Sequence, residues 1–407
     1  MGYVNRLAAA AKEIATFNDY VRIISNAIYR AKFKEEAYAI KKYCTSNKDN
    51  LIGINASPGY MYEHIRELVN AINIDDNLES LLVGPTKWPE NKFKKDTYNF
   101  LSKTYNIEYG VNLFSHPWLK KVKVDAYIET AISTFASEIT CPKILYTHGM
   151  AGLNFSKDYK HVQHLGKYDA VFLNGPLHKK AILAAHKTYG GKLPDIYEIG
   201  YLRGDRLTKT KNSFDKKEFL RKLDLPDITT VTYAPTWGEF SSITEWIDPV
   251  VEICSKLGVN LLLKLHPIML LADSTWETCG IDWTIKLKEI VALNYNTKTV
   301  VNNNVDDVLL ASDVLISDVS GMAIEFMTLE KPVVFLPADK YFNIYGSDRP
   351  EVWCRPNYEI RDKSGLKQEI MKAISGNHDI TAVDQLVYNR GNSVNVMMDT
   401  IKKIIKL

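Results

Sequence analysis

At 407 residues, with 46% hydrophobic and 24% charged side chains, the chain is globular in composition and long enough for two domains of roughly 200 residues each. Its 51 basic and 48 acidic residues leave a formal charge of +3, which gives no electrostatic case for nucleic acid, and no zinc finger or other nucleic-acid motif is present. Five cysteines, at 44, 141, 254, 279 and 354, stand singly without a CxxC pair, which suits a reducing cytosol and argues against structural zinc.

The amino terminus lacks the apolar core of a signal peptide, and no stretch reaches the roughly 20 apolar residues of a membrane span, so the chain is expected on the cytoplasmic side. Residues 1–50 read as a helical segment. Within it, 20–43 place Ile24, Ile28, Ala31 and Tyr38 near one helical face, with Arg22, Arg30, Lys32, Lys34, Lys41 and Lys42 around them. Lys87-Trp88, Lys92, Lys94-Lys95, Trp118 and Lys120-Lys121 add basic and aromatic residues farther on. Such a surface suits either a solvated helix packed on its own domain or contact with anionic lipid.

From there strand-like apolar runs recur at 51–55, 80–83, 124–128, 144–147, 170–173, 196–199, 230–234, 260–265, 300–301, 314–316 and 333–336, with helical spacing between most of them. Repeated β-α-β alternation predicts parallel sheets covered on both faces, and this many strands divide naturally between two sheets. The domains are read as 51–205 and 228–382, separated by the charged stretch 204–227. Residues 383–407 read as a helix whose stripe of Val387, Val394, Met397, Ile401 and Ile405 could cross back to the first domain.

Several strands run into loops with chemical content. The run at 144–147 leads into His148-Gly149-Met150-Ala151-Gly152, the run at 230–234 into Pro235-Thr236-Trp237-Gly238, and the run at 260–265 into His266-Pro267. Loops at the carboxyl ends of parallel strands line ligand crevices, so His148 and His266 are the histidines to single out. The flanking glycines open the His148 loop, and Lys264 and Pro267 make a poor core sequence around His266. Residues 313–339 condense one whole β-α-β unit, and its loop Ser317-Asp318-Val319-Ser320-Gly321 precedes a helix carrying Glu325. That loop fits an anion site, with hydroxyls and free N–H groups, and equally an ordinary capped turn. The pairs Asp75-Asp76 and Asp306-Asp307 read as solvated turns, and no Asp-x-Asp triplet suggests a metal. Neither a Walker A loop nor a GxGxxG fingerprint follows a strand.

The segments Tyr-Ala-Pro-Thr-Trp at 233–237, Lys-Leu-His-Pro at 264–267, His-Gly at 148–149 and Ile-Ser-Asp-Val-Ser-Gly at 316–321 together resemble the motif set of the CDP-glycerol glycerophosphotransferase family. A weaker likeness lies at Glu-Ile-Gly-Tyr-Leu-Arg-Gly-Asp, 198–205. The resemblance implies an α/β fold of GT-B type, with two Rossmann-like doubly wound parallel-sheet domains facing an interdomain cleft. It also implies transfer of a polyol phosphate from a CDP-linked donor to a hydroxyl of a teichoic-acid or capsule acceptor, with no further cofactor. His148 then matches a general base on the acceptor hydroxyl, with Gly149 and Gly152 in its loop, and His266 matches a histidine at the donor pyrophosphate. Thr236, Ser317, Asp318, Ser320, Gly321 and Glu325 fall on the donor side, with Glu325 either structural or at the ribose. An anionic, lipid-linked acceptor would favour peripheral attachment at the inner face of the membrane.

The chain departs from the pattern in three places. Thr147-His148-Gly149-Met150-Ala151 stands where the family usually has Trp-His-Gly-Thr-Pro, Gly321 follows Ser320 in place of a second serine, and Cys354-Arg355-Pro356-Asn357 stands near an expected Pro-Gly-Pro. Related GT-B glycosyltransferases and UDP-sugar 2-epimerases share the HisPro and SerAsp loops and form the alternative.

Overall fold

The computed structural model describes residues 49–55, 62–84, 102–103, 105, 113–115, 123–130, 139–147, 164–270, 275–301, 304–346, 354–355, 360–378 and 383–407. Within them the first sheet is built from β1 (Asn50–Asn55), β2 (Leu78–Gly84), β3 (Leu113–Ser115), β4 (Ala126–Glu129), β5 (Lys143–Leu145), β6 (Ala170–Leu173) and β7 (Asp195–Glu198). The second holds β8 (Thr230–Tyr233), β9 (Asn260–Leu263), β10 (Thr297–Thr299), β11 (Val314–Ser317) and β12 (Val333–Phe335). Their spatial orders are β3-β2-β1-β4-β5-β6-β7 and β10-β9-β8-β11-β12, with parallel pairing throughout. Both are doubly wound, as the alternation of apolar runs predicts. The order reverses between β1 and β4 in one sheet and between β8 and β11 in the other, and ligands of such sheets bind at that reversal.

The central strands are buried along their length because helices cover both faces. Every residue of β4, β6, β8, β9 and β11 is buried. At two of the four edges, β3 and β10, the sequence misleads. β10 lies at 297–299, not at 300–301; it pairs only with β9, and its Thr-Lys-Thr carries no apolar signal, whereas Val300 is buried beyond its end. The short edge strand β3 is an addition, pairing only with β2.

Helices α1 (Tyr62–Ile74) and α2 (Pro176–Tyr189) cover the first sheet, and the charged stretch 204–227 holds most of α3 (Leu202–Lys211) and all of α4 (Lys216–Lys222). In the second unit α5 (Ile243–Leu257), α6 (Val305–Ala311) and α7 (Gly321–Met327) surround the sheet, and α8 (Ser393–Ile405) ends the chain. Helix α8 packs on the first unit, with Met397 and Ile401 fully buried among Ile52, Ile65 and Leu68. Each such side chain contributes about 1.5–3 kcal/mol of burial, which holds this helix on residues more than 300 positions distant.

The carboxyl edges of the two sheets face each other. Tyr201, just beyond β7, donates its hydroxyl to Glu325 of α7 at 2.6 Å, and Arg203 of α3 reaches Asp306 of α6 at 2.7 Å.

Candidate active site

At the reversal point of the second sheet, the loops after β8 and β11 are sewn together by one carboxylate. Asp318 Oδ1 accepts from the Thr236 N–H at 2.7 Å, and Oδ2 accepts from both the N–H and the hydroxyl of Ser242, each at 2.8 Å. Burial pushes the Asp318 carboxyl up, and the bonds from Ser242 and Thr236 pull against that. Ser317 is fully buried and donates its hydroxyl to the Ala234 carbonyl at 2.6 Å. Both residues were expected at the donor, but their polar atoms are engaged inside the protein. Composition gives a loop its polar groups without saying which way they turn.

Thr236, Ser320 and Gly321 do sit at this edge. Thr236 is buried, while Ser320 and Gly321 are half-buried, and the Ser320 hydroxyl caps α7 by accepting from the Met322 N–H at 3.4 Å. Arg355 supports the loop from the other side: its Nη2 donates to the Asp318 carbonyl at 2.8 Å, and its guanidinium lies over Phe335 at 4.7 Å and Phe342 at 5.1 Å.

His266 follows β9, half-buried, with its ring 6.0 Å from that of Trp237. Its Nδ1 accepts from the Ile268 N–H at 3.2 Å, so the neutral ring carries its proton on Nε2 and presents a donor there. Two residues earlier, Lys264 is buried, with Nζ donating to the Val301 carbonyl at 3.2 Å. Burial, reinforced by the positive charge of Arg203, pushes this lysine down to about 8.

On the first sheet, His148, Gly149 and Gly152 lie outside the described residues, as do 20–43, Lys87-Trp88, Lys92, Lys94-Lys95, Trp118 and Lys120-Lys121. The approach to the His148 loop is described as far as Thr147. This residue is buried and its hydroxyl lies 3.4 Å from His178 Nε2, while His178 Nδ1 accepts from the Asn174 N–H at 3.3 Å. Desolvation pushes His178 down to about 3, so it stays neutral and serves as a fixed post for the end of β5.

Glu325 is buried and both its oxygens are engaged. Oε1 takes the Tyr201 hydroxyl and Oε2 takes Arg203 Nη1 at 2.9 Å. Asp306, read as part of a solvated turn, is buried and bridges Arg203 Nε and Arg206 Nε, both at 2.7 Å. Burial would raise its carboxyl, but the two guanidinium charges outweigh that and hold it below the usual range. The sequence offered one signal for these residues, the Gly-Tyr-Leu-Arg-Gly-Asp segment. Among the described residues no group of three or more His, Cys, Asp or Glu side chains could hold a metal ion.

Two doubly wound units whose carboxyl edges meet, with a capped serine loop at the reversal point and a histidine at the end of the adjoining strand β9, define a GT-B fold. The chain matches the CDP-Glycerol:Poly(glycerophosphate) glycerophosphotransferase family over residues 49–352, and it belongs to that family. A teichoic acid poly(glycerol phosphate) polymerase of Staphylococcus epidermidis is 27% identical over 237 residues, covering 52% of this chain and 30% of the polymerase. A teichoic acid glycerol-phosphate primase of Bacillus spizizenii is 23% identical over 352 residues, covering 79% of this chain and 84% of the primase. The wall teichoic acid polymerase TagF has the same fold, with a TM-score of 0.54 at 18% identity over 96% of this chain and 98% of the solved chain. The chain therefore spans under a third of the first of these relatives and most of the second.

Proposed function

We propose that the chain transfers glycerol phosphate from CDP-glycerol to a hydroxyl of a teichoic-acid-type polymer or lipid-linked acceptor. The carrying observation is family membership across both sheets, supported by the meeting of the Thr236, His266 and Ser320 loops at one edge. In this reading His148 takes the proton of the acceptor hydroxyl, whose oxygen attacks the phosphorus bearing glycerol as the bond to CMP breaks. The Nε2–H of His266, the Ser320 hydroxyl and the N–H groups at the start of α7 meet the charge on the phosphate oxygens. The donor is a substrate, and no further cofactor enters the scheme.

The acceptor is polyanionic, and we place the enzyme at the inner face of the membrane, held peripherally through basic and aromatic residues of 20–43. Among the described residues no helix is long and apolar enough to cross a membrane. Incubation with a panel of CDP-polyols and UDP-sugars tests the reading. CMP released from CDP-glycerol, dependent on acceptor, supports it. UDP or an epimerised sugar, with CDP-glycerol untouched, replaces it with the glycosyltransferase or 2-epimerase reading.

A further inference from the structure

The segment Tyr201-Leu202-Arg203-Gly204-Asp205-Arg206 opens α3, and its polar side chains reach four other helices, α1, α6, α7 and α8. Arg203 holds Asp306 of α6 and Glu325 of α7. Arg206 shares Asp306 and reaches back to α1, where Nη2 meets Glu63 Oε2 at 2.9 Å and Nη1 meets Glu67 Oε2 at 2.5 Å. Asp205 accepts from the N–H groups of Gly391 at 2.6 Å and Ser393 at 2.7 Å, fixing the start of α8. One helical turn thus ties both sheets and the returning end of the chain.

Folding alone does not call for such a cluster. Arg203, Asp306 and Glu325 are 5%, 7% and 6% exposed, and well-packed apolar residues in place of a buried ion cluster are often as stable or more so. Arg203 Nη2 is in addition buried with no hydrogen-bond partner, a cost with no return in stability. What the cluster supplies is direction. A guanidinium is a rigid planar fork, and here its two arms hold α6 and α7 from the first unit. Helix α7 begins at Gly321, directly after Ser320, so the fork sets where that loop stands relative to the first sheet.

We propose that Arg203 is a positioning residue that aligns the Ser320–Gly321 loop with the carboxyl edge of the first sheet, so that acceptor hydroxyl and donor phosphorus meet in line. The inference rests on the glycerol-phosphate transfer reading. Displacements of about 1 Å can cost roughly 100-fold in such a step, whereas donor binding stays within the second unit and is spared.

The test compares wild type, Arg203→Lys, and the double variant Arg203→Met/Glu325→Met, measuring CDP affinity and stoichiometry by calorimetry, kcat and KM for transfer, and Tm. In Arg203→Lys, kcat per CDP-binding site should fall about 10- to 100-fold with CDP affinity within about threefold. The double variant should regain Tm without regaining kcat. Wild-type kcat per site in Arg203→Lys, or joint recovery of Tm and kcat in the double variant, would reduce Arg203 to a stabilising ion pair and overturn the proposal. Absence of transfer by the wild type would instead sink the functional reading. The alignment is then read as the distance distribution between spin labels at Thr188 and Leu293, both exposed and on opposite units, in a cysteine-free background. A narrow distribution that broadens in Arg203→Lys supports the inference, and equal widths refute it.

Discussion

Tyr201 and Glu325, 124 positions apart, meet across the two units through a 2.6 Å hydrogen bond in which the buried phenol donates to the carboxylate. Burial first, and then the Glu325 charge, hold the phenol protonated far above its usual range, so it gives its one proton to Glu325, while its oxygen also lies 3.3 Å from His64 Nδ1. Tyr201→Phe removes that donor and leaves Glu325 to Arg203 alone. The expected loss is about 1–3 kcal/mol in denaturant unfolding. A variant as stable as wild type would show that the bond contributes nothing net.

Asp318 predicts a larger effect from a smaller change. Asn in its place keeps the shape but offers one acceptor oxygen to three donors and turns an N–H group toward another N–H. We expect Asp318→Asn to lose about 2–4 kcal/mol and to weaken CDP binding, because the loops after β8 and β11 come apart. Chemical denaturation and nucleotide titration check the two halves separately. Unaltered CDP affinity in a destabilised variant would confine Asp318 to folding.

Gly200 adopts φ +111°, and a Cβ there would lie 2.3 Å from both Ser393 Oγ and the Tyr388 carbonyl oxygen. Gly200→Ala should therefore cost roughly 3 kcal/mol or more, split between backbone strain and the displaced start of α8. The measurement is the unfolding midpoint. A shift no larger than that of an exposed-surface alanine would contradict the close approach of these segments.

His178 gives a pH prediction. Its pKa in the fold is pushed by burial from 6.5 to about 3, so below 6.5 the unfolded chain takes up a proton that the folded chain refuses. The stability this histidine contributes is full above pH 6.5 and is lost as pH falls from there toward 3, amounting to about 2 kcal/mol at pH 5. Comparison of wild type with His178→Gln between pH 7 and 5 isolates the slope. Parallel stability curves would mean that the ring takes up its proton as readily in the fold as in the unfolded chain.

The second domain was the legible one. The strand, loop and helix around residues 313–339 are contiguous in sequence, and the burial of β11 and β12 follows from their uninterrupted apolar runs. The directions of side chains in that loop were not legible. Ser317 and Asp318 carry the same chemistry whether they face a phosphate or a neighbouring loop, and only the position of Ala234, Thr236 and Ser242 decides it. The ion cluster was hidden for a different reason: Arg203 and Arg206 meet carboxylates 100 to 143 positions away, and Asp306-Asp307 looks like a surface turn until a partner helix covers it. Of the four edge strands, β7 and β12 were legible in their apolar runs, whereas β3, three residues long, and β10, which lacks an apolar pattern, escaped.

The central claim is transfer of glycerol phosphate, and it is tested most directly by following donor labelled in both its glycerol and cytidine parts through a single turnover with a teichoic-acid-type acceptor. The account predicts that glycerol label enters the acceptor as cytidine label appears as CMP in equal amount, and that both stop in His148→Ala while CDP still binds. Glycerol label released as free glycerol phosphate, or retained in intact donor while a UDP-sugar is consumed, would contradict it.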